Sequence, residues 1–183
     1  MQKHKSPAVA GLVDLPQILE VQRKAYGREF SPGSHVYDIV MGEGIDDIKR
    51  RIESPDSRVY KSVDSTGGIV SSLSFLLDSE KKIAYAFRLS SIKQGSGMRL
   101  VKSCLPELER EGIKKIFIHP PRDSRQLSVY KRIGARDATD EEKGEYDRIF
   151  YPRLPKSKKP IPKRQEVDLL VYEFPKHKFG PQS

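Results

Sequence analysis

The most constraining feature of the sequence is a change of hydrophobic period near residues 93–98. Between Ile83 and Leu89, larger apolar side chains alternate with small or charged ones, which is typical of a β-strand. From Leu100 onward, apolar side chains recur at the spacing of a helix. The intervening run, Lys93-Gln94-Gly95-Ser96-Gly97-Met98, contains two glycines. The pattern therefore predicts a strand, a glycine turn and a helix in succession.

This glycine turn has properties that suit a phosphate group. The first N–H groups of a helix lack partners within the helix, and the helix dipole adds partial positive charge beside them. Glycines at positions 95 and 97 would also let a ligand approach the backbone closely. Because an ordinary strand-to-helix turn can also contain two glycines, the pattern by itself is compatible with both interpretations.

Charge and length restrict the classes of partner. The 183 residues include 34 lysines and arginines against 25 acids, and the net charge of +9 favours an acidic ligand or partner. The length suits one domain over residues 1–183, with a tail at 175–183. No apolar run approaches the roughly 20 residues that span a bilayer. We therefore expect a cytoplasmic protein with no membrane partner.

Residues that commonly bind metals are few. The four histidines, at positions 4, 35, 119 and 177, do not have metal-ligand spacing, so we expect no metal site. The single cysteine, Cys104, excludes an intrachain disulfide and falls on the apolar stripe of the helix that follows the glycine turn. We interpret it as a core residue.

The rest of the chain predicts an alternation of strands and helices. In chain order, the predicted elements are a strand at 9–13, helices at 14–27 and 44–54, strands at 58–63, 69–77 and 83–89, a helix from the glycine turn to Gly112, a strand at 113–118, a helix ending at Arg132, and strands at 146–151 and 167–174. Residues 27–42 are predicted to form a loop, either a lid over a substrate or a segment held to the core by its aromatic residues. Pro106 predicts a kink or break in its helix.

The order of these elements, together with the glycine turn, resembles the GNAT N-acetyltransferase superfamily over residues 8–137. The family's cofactor loop has an Arg or Gln, two variable residues, Gly, one variable residue, and Gly or Ala. Here that frame spans 92–97, with both small residues present and Ile92 in place of the polar one. The resemblance implies an α/β (α+β) fold with a mixed, mostly antiparallel sheet of six to seven strands, flanked by helices. It also implies a splayed parallel strand pair at the cofactor site.

A second motif lies at the family's usual distance downstream. The family often has Asn, two residues, Ala, three residues, Tyr, and a short link to Gly-Phe or Gly-Ala. In this chain Tyr130 and the pair Gly134-Ala135 match, whereas Asp123 and Gln126 differ. Two imperfect motifs around a correctly spaced strand are more specific than either motif alone.

The resemblance implies acetyl-CoA, or another acyl-CoA, as cosubstrate. The residues that it implies for cofactor binding are Phe87, Arg88, Leu89, Lys93, Gln94, Gly95, Ser96, Gly97, Met98, Asp123, Arg125 and Tyr130. By this analogy, backbone groups of 87–89 pair with the pantetheine arm and polarise the thioester carbonyl. The backbone of 94–98 holds the pyrophosphate, with Lys93 and Arg99 adding positive charge.

The implied reaction is direct transfer of an acetyl group to a primary amine of a small molecule or a protein. It needs a neutral amine, a polarised carbonyl and a proton for the leaving thiolate. The resemblance makes Tyr130 the proton donor, although a buried aromatic would have the same spacing. His119 is a candidate base because histidine has an ordinary pKa near ~6.5, but it could instead only end a strand. Glu43, Asp123 and ordered water are alternative bases.

Other functions remain open from the sequence. The departures at Ile92, Asp123 and Gln126 are compatible with a weakly active or inactive GNAT fold that binds or inhibits a protein partner. The basic, proline-rich loop at 152–166 could steer an acidic protein partner through residues 152–164, or contact nucleic acid. Nucleic acid is disfavoured because no recognisable binding motif accompanies the charge. The sequence indicates neither the amine acceptor nor the oligomeric state, and it is compatible with a homodimer.

Overall fold

The computed structural model describes residues 7–121, 124–154 and 168–175. The strands in these ranges are β1 (Ala8–Val9), β2 (Ser57–Val63), β3 (Ile69–Asp78), β4 (Ile83–Ser91), β5 (Lys115–Ile118), β6 (Arg136–Asp137) and β7 (Leu170–Glu173). The helices are α1 (Leu15–Glu29), α2 (His35–Gly42), α3 (Ile45–Glu53), α4 (Ser96–Arg110), α5 (Arg125–Arg132) and α6 (Asp140–Ile149). Within the described ranges, none of the helices combines the length and apolarity required to cross a bilayer.

The strands form one mixed sheet in the order β1-β2-β3-β4-β5-β7-β6. Neighbouring strands are antiparallel except β4 and β5, which pair in parallel from Ile83↔Lys115 to Ala86↔Ile118. A parallel pair requires a crossover connection, and α4 provides it. The fold class that the sequence predicts, a mostly antiparallel sheet with one parallel pair, is confirmed.

Alternation along β4 divides the core between the two faces of the sheet. Ala84 and Ala86 pack with the apolar stripe of α4, which includes the fully buried Cys104. Ile83 and Tyr85 pack on the opposite face with aromatic residues of β5 and α6. Burial raises the pKa of the Cys104 thiol, so it is unreactive, and its assignment to the core is confirmed.

The end of α4 is defined by a glycine. Gly112 has a φ of +84°, its N–H donates to the carbonyl of Glu109 at 2.9 Å, and the Ile113 N–H donates to Leu108 at 3.0 Å. This is the hydrogen-bond pattern of a Schellman motif, which satisfies carbonyls at a helix terminus. The predicted stop at Gly112 is confirmed, but α4 continues through Pro106 and is not broken there.

The predicted strand at 146–151 is wrong, because residues up to Ile149 belong to α6. The Thr139 hydroxyl accepts a hydrogen bond from the Glu142 N–H at 3.3 Å, and the Glu142 carboxylate accepts one from the Thr139 N–H at 2.9 Å. This reciprocal capping box satisfies two N–H groups at the start of the helix. The aromatic residues of the segment thus lie on a helix rather than on a strand.

The predicted loop at 27–42 is also largely wrong. Helix α1 continues through Gly27 to Glu29, and α2 occupies the second half of the segment. The Ser34 hydroxyl caps α2 by accepting a hydrogen bond from the Tyr37 N–H at 3.3 Å. The segment is therefore helical for most of its length.

A two-pronged ion pair joins α6 to the edge of the sheet. The two terminal nitrogens of Arg136 each donate to a different oxygen of Glu142 at 2.8 Å. The hydrogen bonds from Arg136 hold the pKa of the Glu142 carboxyl at about 2, with burial opposing them and the Thr139 N–H assisting. The carboxylate is buried, which reduces its screening by water.

We expect Glu142→Gln to lower the free energy of unfolding by about 2 kcal/mol at pH 7, because charge-assisted bonds are lost. The folded-state pKa lies below the ordinary value of 4.5, so this stabilisation is present above pH 4.5 and declines as the pH falls toward 2. Urea unfolding at pH 7 and pH 3 should show a smaller loss at the lower pH.

Glu141→Gln is the matched control, since Glu141 is exposed and occupies the same first turn of α6. Both variants remove a negative charge near the helix N-terminus. Equal losses in the two variants, or a loss for Glu142→Gln that does not change with pH, would contradict the assignment.

Candidate active site

The parallel pair β4–β5 separates at one end of the sheet. Its last paired residues are Ala86 and Ile118, after which β4 continues to Ser91 while β5 ends and is followed by His119. In the part of the sheet that the structure describes, β4 therefore has no β5 partner beyond Ala86. The backbone N–H and C=O groups on that edge of β4 can pair with a ligand. The splayed parallel pair that the resemblance implies is confirmed.

A β-bulge accompanies this separation. Ser72 pairs with Ser90 and Ser74 pairs with Phe87. Between these two pairs, β4 therefore contains one residue more than β3. The extra residue allows Arg88 to adopt a φ of 58°, in the left-handed region that residues with a Cβ rarely occupy. Beyond the bulge, Leu89 packs in the core beside α4.

The glycine turn after β4 has the predicted form. Gly95 is the N-cap of α4 with a φ of 73°, and the Ser96 N–H donates to the carbonyl of Lys93 at 3.1 Å. The Ser91 hydroxyl accepts a hydrogen bond from the Gly97 N–H at 3.2 Å. A Cβ at Gly97 would lie only 3.2 Å from the Cβ of Ser91, so this glycine permits close packing of α4 on β4.

These contacts determine which backbone donors a ligand can reach. The N–H groups of Ser96 and Gly97 already bond within the protein, and both residues are buried. Gln94 and Gly95 are exposed and Met98 is half-buried, so their N–H groups are the better candidates. Of the five residues predicted to bind a pyrophosphate through their backbone N–H groups, three therefore remain candidates.

Positive side chains surround the turn. Lys93 and Arg99 are exposed, and a terminal nitrogen of Arg99 lies 3.2 Å from the position that a Gly95 Cβ would take. Arg28 of α1 donates to the carbonyl of Ile92 at 3.3 Å. The Ile92 side chain itself packs against an apolar cluster formed by α1, α3, β2 and β3. The positive side chain of Arg28 therefore lies beside residue 92, where the family motif has an Arg or Gln and this chain has Ile.

Tyr130 lies on α5 and is buried in the core on the α4 face. Burial, followed by the electrostatic influence of Tyr26, Tyr85 and Cys104, raises the pKa of its hydroxyl well above the ordinary value. The hydroxyl therefore stays protonated at neutral pH and could donate a proton. Arg125, at the start of α5, uses its backbone N–H to donate to Glu29 at 2.7 Å. Asp123 lies outside the described residues.

His119 is half-buried at the end of β5, where the parallel strands separate. Its ring centroid lies 4.8 Å from that of Tyr146 and 6.2 Å from that of Tyr85. Burial lowers the pKa of the imidazole to about 4, with a smaller opposing influence from Asp168. The ring is neutral at pH 7 and can accept a proton, although a low pKa makes it a weak base.

Tyr85 contacts two of the predicted site residues. Its ring stacks on Phe87 with centroids 5.5 Å apart and meets His119 edge-on. It also influences the ionisation of Tyr130 electrostatically, and Arg88 in turn influences Tyr85. Two candidate site residues, Phe87 of β4 and His119 after β5, thus contact one aromatic side chain at the strand gap, where β4 and β5 stop pairing.

A buried cluster of charges that the sequence analysis missed lies beside Arg88. One carboxylate oxygen of Glu43 accepts a bond from Arg51 at 2.7 Å, and the other accepts one from Arg88 at 2.7 Å. The side chains of Arg51, Glu43 and Arg88 are only 10%, 10% and 20% exposed. Because both oxygens of Glu43 are engaged, it is a poor candidate for the catalytic base.

No local pattern in the sequence marks this cluster, since its members lie on α3, on β4 and after α2. Tyr146 was also missed, because its segment was predicted to be a strand. The capping box Thr139-x-x-Glu142 was the signal that could have placed Tyr146 on a helix. Among the residues that the structure describes, no group of three or more His, Cys, Asp or Glu side chains could hold a metal ion.

The fold is that of the GNAT N-acetyltransferases. The PaiA N-acetyltransferase of Thermoplasma acidophilum, solved in complex with coenzyme A, matches with a TM-score of 0.62 and 14% identity, over 93% of this chain and 100% of that chain. Spermidine N-acetyltransferase from Vibrio cholerae, in complex with CoA and spermine, matches with a TM-score of 0.61 and 13% identity, over 92% and 94%.

The ribosomal-protein-S18-alanine N-acetyltransferase from Escherichia coli matches with a TM-score of 0.59 and 12% identity, over 91% of this chain and 90% of that chain. A scan against protein-family models finds no match, and a search of curated protein sequences finds none. At these identities, the similarity establishes the fold of the chain.

Proposed function

We propose that the protein is an acetyl-CoA-dependent N-acetyltransferase that transfers the acetyl group directly to a primary amine. The observation that carries the proposal is the course of β4, which loses its β5 partner after Ala86 and leads into the glycine turn at the start of α4. An extended ligand could add to the unpaired strand edge while its phosphates lie at the helix N-terminus. The amide-containing pantetheine arm and pyrophosphate of CoA fit this arrangement.

We assign the two parts of the cosubstrate to different segments. Backbone groups of residues 87–89, at the bulge, pair with the pantetheine arm and polarise the thioester carbonyl. The N–H groups of Gln94, Gly95 and Met98 bind the pyrophosphate, because those of Ser96 and Gly97 are engaged within the protein. The phosphates are neutralised by four positive side chains, Lys93, Arg99, Arg125 and Arg28.

The proposed chemistry uses two side chains at the strand gap. The neutral amine attacks the thioester carbonyl and loses a proton to His119, directly or through water, and the C–S bond then breaks. Tyr130, which is protonated at neutral pH, donates a proton to the departing thiolate. This sequence leaves an amide and CoA with no covalent enzyme intermediate, and the proton that His119 accepted is released to solvent while Tyr130 takes one up again.

Isothermal titration calorimetry with acetyl-CoA tests the proposal. We expect saturable binding to the unmodified protein and about tenfold weaker binding to Gly95→Ala, because a Cβ at positive φ costs ~1–2 kcal/mol and distorts the turn. Gly144→Ala is the control, since Gly144 lies within α6 and nothing is within 4 Å of an added Cβ. Absence of saturable binding at millimolar acetyl-CoA would reject the enzyme and favour a GNAT-like binding protein.

We expect Tyr130→Phe to lower turnover by about 10²-fold or more while acetyl-CoA affinity changes far less, because only the proton donor is lost. CoA release in the presence of a mixture of primary amines measures turnover, and calorimetry measures affinity. Tyr151→Phe is the control, since that side chain is 49% exposed. Turnover equal to that of the unmodified protein would remove Tyr130 from the mechanism.

We expect His119→Gln to lower kcat by about 10²-fold and to remove an acid limb near pH 4 from the pH profile. The imidazole is protonated below its pKa of about 4 and cannot accept a proton there, whereas it is neutral and competent above that pH. Profiles of kcat at saturating amine compare the two proteins. Identical profiles would assign proton acceptance to Asp123 or water instead.

A further inference from the structure

The charge cluster beside the strand gap contains more positive than negative groups. Glu43 is the one carboxylate that bonds to both Arg51 and Arg88, so these three side chains carry a net charge of +1. They are largely removed from water, and a buried charge without a counterion is costly. The cluster is therefore electrostatically suited to receive one further negative group.

The two arginines differ in how fully they are bonded. Arg51 uses each of its three nitrogens, donating to the carbonyl of Asp47 at 3.3 Å, to Ser74 at 3.5 Å and to Glu43 at 2.7 Å. Arg88 contacts a single oxygen of Glu43 through Nε and one terminal nitrogen. A guanidinium has five N–H donors, and among the described residues the other terminal nitrogen of Arg88 has no acceptor.

The charge cluster lies beside Phe87 at the strand gap. Arg88 follows Phe87 on the part of β4 that has no β5 partner, and the guanidinium of Arg51 lies 5.6 Å from the centre of the Phe87 ring. Phe87 stacks on Tyr85, which also contacts the proposed base His119. At 20% exposure, Arg88 is the most accessible member of the cluster.

The backbone of Arg88 is also costly. Its φ of 58° disfavours any residue with a Cβ by ~1–2 kcal/mol, and glycine would avoid that cost. Strained positions of this kind concentrate at functional sites, where the side chain has a role that glycine could not supply.

We infer that Arg88 is a specificity-determining residue that binds a carboxylate of the amine acceptor, an inference that rests on the proposed acetyl transfer. The acceptor class is a primary amine that also carries a carboxylate, as in an amino acid or an acidic peptide. Arg88 forms a charge-assisted, two-pronged bond to this group, while Glu43 and Arg51 are positioning residues that orient the guanidinium. Polycationic amines are disfavoured by the positive cluster.

The experiment compares matched acceptors: amino acids and their primary amides, with concentrations expressed as the neutral amine. We expect the unmodified protein to acetylate the carboxylate member with a kcat/KM at least tenfold above that of its amide. Acidic dipeptides and their amides form a second arm, which distinguishes a peptide acceptor from a free amino acid.

Three variants test whether Arg88 is responsible for the preference for the carboxylate acceptor over its amide. Arg88→Gln should reduce the acid-to-amide ratio to about one, and Arg88→Lys should retain part of it. Arg50→Gln removes the same charge from a neighbouring side chain of α3 that is 74% exposed, and it should keep the full ratio. Both acceptors are measured on one preparation, so a partly unfolded sample lowers both rates and leaves the ratio unchanged.

The outcomes separate this inference from the proposed function. A protein that binds acetyl-CoA but acetylates no carboxylate-bearing amine, or does so no faster than the amide, overturns the acceptor assignment alone. An undiminished ratio in Arg88→Gln overturns the role of Arg88. A protein that binds no acetyl-CoA overturns the proposed function, and the acceptor assignment falls with it.

Discussion

The site depends on the loss of backbone pairing between β4 and β5 after Ala86 and Ile118. β4 stays bonded to β3 as far as Ser91, so it remains part of the sheet although one of its edges is open. The bulge at Arg88 adds a residue to β4 just beyond the last residue paired with β5, and bulges increase the local twist of a strand. The same strand then delivers the glycine turn to the start of α4, which places the strand edge and helix N-terminus side by side.

Burial affects the titratable groups of the candidate site in two different ways. Tyr130 and His119 are held in their neutral forms, since burial raises the pKa of the phenol and lowers that of the imidazole. The charges are instead concentrated in the cluster of Glu43, Arg51 and Arg88, where each guanidinium contacts the carboxylate. In the proposed mechanism, proton transfer and charge recognition therefore belong to separate groups.

Local sequence patterns predicted much of the fold, because they report contacts between near neighbours. The turn at Gly95 and the helix stop at Gly112 both have the positive φ that glycine tolerates best. Local patterns failed at residues 146–151 because aromatic residues favour strands on average, whereas the capping box at Thr139 and tertiary packing selected a helix. They failed at 27–42 because turn-forming residues there precede a short, capped helix rather than a continuous loop.

The sequence by itself determined the strand, glycine turn and helix around Gly95, and the spacing from that turn to Tyr130, because both follow from residue order. The tertiary structure alone decided that Arg28 would lie beside Ile92, that His119 would be neutral, and that Glu43 would join Arg51 to Arg88. These features arise between elements distant in the chain, so they depend on packing and burial. No local periodicity encodes them, and only the assembled sheet and helices bring the groups within bonding distance.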